Sequence, residues 1–351
     1  MSAISPTTER EPHVARRAGR QLSTVLIFGV VLVLAVVVAS AIGAVRIPLF
    51  AALFGDATLT PLQSMVFTEV RIPRVLLAAF VGAALAVSGA VLQGLFRNPL
   101  AEPQLIGVSS GAALGAIACI VLSENLAVPE AFGPYLLPLA AIAGALAVTT
   151  ALYLFAVRKR DRGVATMLLV GIAINALAAV GIGFFTWIAN DGQLRSLTYW
   201  TLGSFGSARW DTTLPAMALM LAAILSLLPL ARRLDLLQLG AVEAQRLGVS
   251  VPKLRRRIVF GAATAVGAGV AMSGIIGFVG LVVPHVVRMI GGVHHRVLLP
   301  ASALCGAALT VVADLGARVI VQPAEMPVGL LTSAIGAPFF LWLILRIRTT
   351  R

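Results

Sequence analysis

Ten apolar segments, most of them long enough to cross a bilayer, constrain this 351-residue chain more than any other feature. They fall at about 21–44, 75–96, 108–122, 135–156, 164–187, 213–230, 258–278, 281–290, 298–317 and 328–345. A helix of about 20 apolar residues spans the hydrocarbon core, where every backbone N–H and C=O has to pair within its own segment. The eighth segment is too short to cross alone, so its neighbours must cover part of the depth. Charged residues make up 12% of the chain, too few for the surface of a soluble fold of this length. The expectation is an all-α polytopic membrane protein, with a polar tail over 1–20 and a transmembrane domain over 21–351. The first run, Leu22 to Ala44, exceeds the roughly 7–15 apolar residues of a signal peptide and reads as a span. The 33 glycines suit helices whose backbones approach closely.

Basic residues orient such a chain, because Lys and Arg collect on the cytoplasmic side. With the N-terminus inside, all but six of the 27 Lys and Arg fall in inner segments, and both termini are cytoplasmic. The six exceptions are Arg46, Arg71, Arg74, Arg195, Arg209 and Arg318. This arrangement accounts for the net charge of +13 without nucleic acid. Cys119 and Cys305 lie inside apolar segments and read as small buried hydrophobes.

Two connections exceed a simple turn. The outer one, 189–212, contains LRSLTYWTLGSFGSARW and predicts a short interfacial helix with Tyr199, Trp200 and Trp210 at headgroup level. The inner one, about 231–257, spaces its apolar residues helically from Leu239 to Leu247, and Gly248 reads as the stop. Its polar face, Glu243, Gln245 and Arg246, has mixed sign. That favours a protein groove over a lipid surface as the place where this helix lies.

An internal repeat adds to this. VGAALAVSG at 81–89 returns as VGAGVAMSG at 266–274, and the same offset maps Pro99 to Pro284. The span count gives the two copies opposite directions, the pattern of an inverted-topology repeat, in which paired helix interruptions point to a transport path. The expected interruptions follow the small-residue helices at Pro99 and Pro284.

Chemistry is sparse. There is no phosphate-binding loop, no nucleophilic triad and no metal-ligand spacing, so neither cofactor nor metal is expected and the chain does not read as an enzyme. Asp314 and Arg318, four apart, can pair along one helix face. The scarcity of carboxylates in the spans disfavours a proton relay, so energy for transport must come from elsewhere, most simply a partner ATPase.

A set of stretches in order carries a resemblance: RIPR (71–74), SGAVLQGLFRNPLAEPQLIGVSSGA (88–112), YWTLGSF (199–205), EAQRLGV (243–249), GFVGLVVPHVVRM (277–289), HRVLLP (295–300) and the closing ADLGARV…PAEMPVGLLTSAIGAPFFLWLI (313–344). The chain resembles the permease subunits of the iron-siderophore, haem and vitamin B12 (FecCD-type, type II) ABC importers. The resemblance implies ten helices per subunit, a homodimer with the cargo path between the copies, two ATP-binding cassette subunits below, and a periplasmic substrate-binding protein above, all at the bacterial inner membrane. It also implies roles for particular residues. Arg71, Arg74 and Arg318 would dock the binding protein; Glu243, Arg246, Leu247 and Gly248 would form the coupling helix that meets the ATPase. Asn98, Pro99 and Leu100 would form the cytoplasmic gate, while Gly163 to Ala165 departs from the hydroxyl-rich form expected of a second gate segment.

LLVGIAINALAA (168–179) and LRSLTYWTLGSF (194–205) look most like haem permeases, with vitamin B12 or a ferric siderophore as the alternative cargo. His285, His294 and His295 read as structural or solvated rather than as haem ligands. An ion-coupled secondary transporter and a non-transporting scaffold are the readings from other classes.

Overall fold

Helix α2, Ile72–Phe96, runs through the middle of the molecule, and the other elements are arranged about it. The computed structural model describes residues 10–43, 45, 47–48, 59–123, 129–157, 164–321 and 324–348. In chain order the other helices begin with α1 (Arg10–Ala41), α3 (Val108–Leu122), α4 (Gly133–Val157) and α5 (Val164–Ile188). They are followed by α6 (Asp191–Leu202), α7 (Trp210–Leu227), α8 (Ala231–Leu237) and α9 (Ala241–Arg246). The last four are α10 (Val251–Ser273), α11 (Val279–Gly291), α12 (His295–Val319) and α13 (Val328–Arg348). Each of the ten expected segments contains a helix, the seventh ending at Ser273, and among the described residues six helices are long and apolar enough to cross a membrane. The first helix starts at Arg10, inside the polar tail.

Small residues let α2 lie against its neighbours. A methyl group on Gly82 would sit 2.2 Å from the Gly306 carbonyl of α12, and one on Gly89 would sit 1.9 Å from the Gly280 carbonyl of α11. Thr310 closes the first crossing by donating to the Ala78 carbonyl at 2.7 Å. In a membrane there is no hydrophobic force between apolar helices, so this contact and the dispersion it permits hold the bundle. The apolar stretch of α2 is 78% buried within the chain, against 22% for α1 and α4 and 17% for α5. The exposed apolar face of α5, with Leu169, Ile172, Leu177, Val180, Phe184 and Trp187, is left for lipid or another chain.

The interruptions are where the structure departs from the sequence reading. The first is as expected: α2 ends at Phe96, and the chain turns through 97–107 before α3. The second is not at Pro284, which lies inside α11. It falls ten residues earlier, at 274–278, between Gly274 (φ 68°) and Phe278 (φ 66°). Proline is tolerated in α11 because the carbonyl it cannot pair, that of Gly280, accepts the Gln93 side-chain amide of α2 at 3.1 Å. With 13 residues α11 is only about 20 Å long, so it cannot cross alone.

Candidate functional site

At the end of the bundle where α2 begins, three arginines converge. Arg71 caps α1: its guanidinium donates to the carbonyls of Ser40 (3.0 Å), Ala41 (2.8 Å) and Val45. The last carbonyls of a helix lack intrahelical partners, and a cation is favoured there. Arg318 of α12 reaches the same helix end through the Ala39 carbonyl, 3.2 Å away. Arg74, in the first turn of α2, turns its Nε and Nη2 onto Asp314 at 3.0 and 2.9 Å. Its Nη1 contacts both carboxylate oxygens of Glu325, at 3.0 and 2.9 Å. Asp314 is shared, since Arg318 Nε lies 3.1 Å from its other oxygen. The expected Asp314–Arg318 pair is therefore present, inside a larger network.

Arg71, Arg74 and Arg318 are 4%, 6% and 8% exposed. Their charges are spent on carbonyls and carboxylates of the same chain, where the docking role implied by the resemblance expects open cations. Arg209, a further exception to the charge pattern, is exposed at the same end and paired with Asp211 at 3.0 Å. Beside it, the Trp210 indole donates to the Thr68 carbonyl at 2.8 Å. Arg46 lies outside the described residues. The interfacial helix is α6, opened by a capping box between Asn190 and Gln193.

At the opposite end α2 stops on Arg97 in a left-handed conformation (φ 49°). Asn98 then closes a tight turn: its N–H reaches the Gln93 carbonyl at 3.1 Å and its side-chain oxygen accepts from Leu100 N–H at 2.9 Å. Asparagine makes this turn because its short amide mimics a backbone acceptor. Pro99 is exposed at the tip, and Asn98 and Leu100 are half-buried. The chain then re-enters the bundle, and the two interruptions meet. Glu102 accepts from Phe278 N–H at 3.0 Å, the donor left over where α11 starts. Asn175 of α5 donates to the Gln104 carbonyl at 3.1 Å and also accepts from Ser110, 2.5 Å away. Irregular backbone is thus satisfied by side chains, as it must be inside a membrane domain. Of the second gate segment, Val164 and Ala165 open α5, and Gly163 lies outside the described residues.

Helix α9 lies at the same end of the molecule as this turn, with Gly240 before it facing Arg97. Glu243 and Arg246 pair at 2.9 Å on its exposed face, and Leu247 is exposed where it ends. Gly248 takes φ 84°, a value glycine adopts without strain, which turns the chain back so that Val249 N–H caps Ala244. Leu239 just before α9 and Val242 within it stand out as bare apolar groups. Two residues that sequence reasoning missed join this arm to the bundle. Gln238 donates to the Gly94 carbonyl at 2.9 Å, and Asp235 holds His295 through its N–H (3.0 Å) and Nδ1 (2.6 Å). Arg288 of α11 donates to Gln93 at 2.5 Å. A cavity of 560 Å³ lies among Gln93, Asn98, Asp235, Arg288 and His295. The signal for Asp235, Glu102 and Glu325 was scarcity: with 14 acidic residues in the chain, each one next to an apolar segment needs a reason. Of the histidines, His295 is buried on Asp235, His294 is exposed, and His285 lies edge-on to Phe339 with ring centroids 5.9 Å apart.

Interrupted helices that meet inside a small-residue bundle, above an exposed arm, are the plan of a transport permease. The model of the FecCD transport family matches residues 29–346. The chain belongs to the FecCD transport family. Among the relatives of this FecCD protein is the hemin transport system permease protein HmuU of Yersinia pestis, 50% identical over 82% of this chain and 85% of that one. The vitamin B12 import system permease protein BtuC of Escherichia coli O9:H4 (strain HS) is 40% identical over 82% of this chain and 86% of its own. A solved metal-chelate-type ABC transporter in an inward-facing conformation superposes with a TM-score of 0.81 at 34% identity, covering 92% of this chain and 98% of that one.

Proposed function

We propose that this chain is the inner-membrane permease subunit of an ABC importer whose cargo is haem. The observation that carries the transport reading is the meeting of the two interruptions, 97–107 and 274–278, through Glu102 and Phe278. Haem as cargo rests on the 50% identity to a hemin permease; vitamin B12 and ferric siderophores are the competing cargoes. In this reading two copies face each other across the path, with the bare face of α5 toward it. ATP is hydrolysed in separate cassette subunits, and both termini are cytoplasmic.

Function then follows from the links already described. An ATPase groove receives α9 through Glu243, Arg246, Leu247 and Gly248. Movement of α9 passes through Gln238 to the last turn of α2 and through Asp235 to the start of α12. Both border the cavity that Asn98 and Pro99 of the gate turn also line, beside Leu100. At the other end, a substrate-binding protein docks over the cluster of Arg71, Arg74 and Arg318. Asp314 does not suit an ion relay, because two guanidinium groups hold it. This weighs against a secondary transporter.

The test is reconstitution in vesicles with the partner ATPase. ATP-driven uptake should occur with haem-loaded binding protein and fall away with binding protein loaded with B12 or ferric siderophore. Uptake driven by a proton gradient without the ATPase would overturn the proposal. A second measurement concerns α9. The exposed Glu243–Arg246 pair contributes under about 1 kcal/mol to folding, so replacing both by alanine should leave the bundle intact. Transport per ATP hydrolysed should nevertheless fall about tenfold, because contacts at the centre of an interface carry most of its energy. Coupled transport at the wild-type ratio would remove α9 as the contact.

A further inference from the structure

Arg74 presents an oddity that docking has to resolve: a cation read as a partner's anchor is already occupied. Its two carboxylate partners differ in kind. Asp314 is 1% exposed, sits within a helix and is gripped by Nε and Nη2 of Arg74 and by Nε of Arg318. Glu325 has a 51% exposed side chain and stands in the short connection before α13. It meets Arg74 through the single nitrogen Nη1, to which both of its oxygens are directed. The planar fork of a guanidinium matches a carboxylate best when two nitrogens face two oxygens. Arg74 gives that fuller grip to Asp314 and its remaining donor to Glu325. Three guanidinium groups here face two carboxylates, so the cluster stays positive even with Glu325 in place.

We propose that Glu325 is an internal stand-in for an acidic side chain of the docking protein, exchanged for it when that protein binds. The proposal rests on the docking role of this cluster. In the free permease Glu325 covers Arg74 and keeps the cation neutralised beside the membrane. An incoming carboxylate takes Nη1, and Glu325 turns to solvent. The neighbouring backbone makes the exchange consequential. Met326 N–H is tied to the Ala317 carbonyl of α12 at 3.1 Å, and Val328 N–H to the Gly203 carbonyl beyond α6 at 2.9 Å. The segment released by the exchange therefore leads straight into α13.

The stand-in predicts an effect of unusual sign. Glu325→Gln removes a charge that competes with the partner but keeps an oxygen for Arg74. In nanodiscs this variant should bind the substrate-binding protein about tenfold more tightly than the wild type, a change of the size expected for a close charge pair. Its association rate should also fall more steeply with salt, since one more net positive charge faces the partner. The gain should disappear in the double variant R74Q/E325Q. Size-exclusion profile and melting temperature check that each variant is folded. Unchanged or weaker binding by E325Q, with R74Q weakening docking, would overturn the stand-in and leave the docking role standing. Wild-type affinity in both R74Q and R74Q/E325Q would overturn the docking role, and the stand-in with it. The salt dependence of E325Q is measured with Arg74 intact, so it tests the stand-in even if the R74Q variants do not fold. A salt slope equal to that of the wild type would overturn it.

Discussion

Asp314→Asn should destabilise the protein by about 3–5 kcal/mol, the range for removing one partner of a buried ion pair. The carboxylate is 1% exposed and accepts from Arg74 and Arg318, themselves 6% and 8% exposed. Its loss leaves two cations facing each other inside the bundle, with Glu325 on Arg74 alone. A charge within a membrane domain is tolerated only when paired, and the asparagine cannot pair it. Thermal unfolding in detergent, followed by the loss of monodisperse protein, measures the effect. The comparison is Glu325→Gln, which removes an exposed partner and should cost under about 1 kcal/mol. Equal melting temperatures for D314N and wild type would mean that the network does not hold α2 against α12.

Gly89→Ala should be comparably damaging for a different reason. The added methyl would sit 1.9 Å from the Gly280 carbonyl oxygen and 2.7 Å from Gly280 Cα. These atoms are backbone, so no rotamer change relieves the clash, and α11 has to move off α2. Overpacking in cores costs about 1–3 kcal/mol when side chains can yield, and this site exceeds that range. Moving α11 would also pull Gly280 from Gln93 and Phe278 from Glu102, so the interruption would lose two of its hydrogen bonds. G89A is expected to be recovered in low yield and to melt well below wild type. Gly183→Ala is the control: nothing lies within 4 Å of the new methyl, and the helix should gain up to about 1 kcal/mol. Wild-type behaviour of G89A would show that α2 and α11 do not need this approach.

Exposed positions follow the same logic in the other direction. Glu243, Arg246 and Leu247 are exposed and contribute little to the folded bundle, so under the proposed function their variants should change coupling rather than melting. That separation makes the α9 variants informative, and it also explains why these residues stand out in the sequence. A six-residue helix with bare Leu239 and Val242 beside a mixed-charge face has no use within its own chain.

Hydropathy and helical period determined the ten segments, the inner arm ending at Gly248 and the pairing of Asp314 with Arg318, and Pro99 marked the break after α2. All of these are local: each depends on residues a few positions apart, where spacing fixes geometry. Three matters were decided only by the tertiary structure. Arg74 finds Asp314 across 240 positions and Glu325 across 251, so arginines that break the charge pattern proved to be buried. The second interruption sits at Gly274 to Phe278 rather than at Pro284, which α11 accommodates because Gln93 meets the Gly280 carbonyl, and no local rule supplies that amide. Asp235 holds His295 from another helix, which makes a histidine of the turn part of the link between the inner arm and the bundle. The reason is common to all three: a polar group buried in a membrane bundle must be satisfied, and its partner is chosen by how the helices pack.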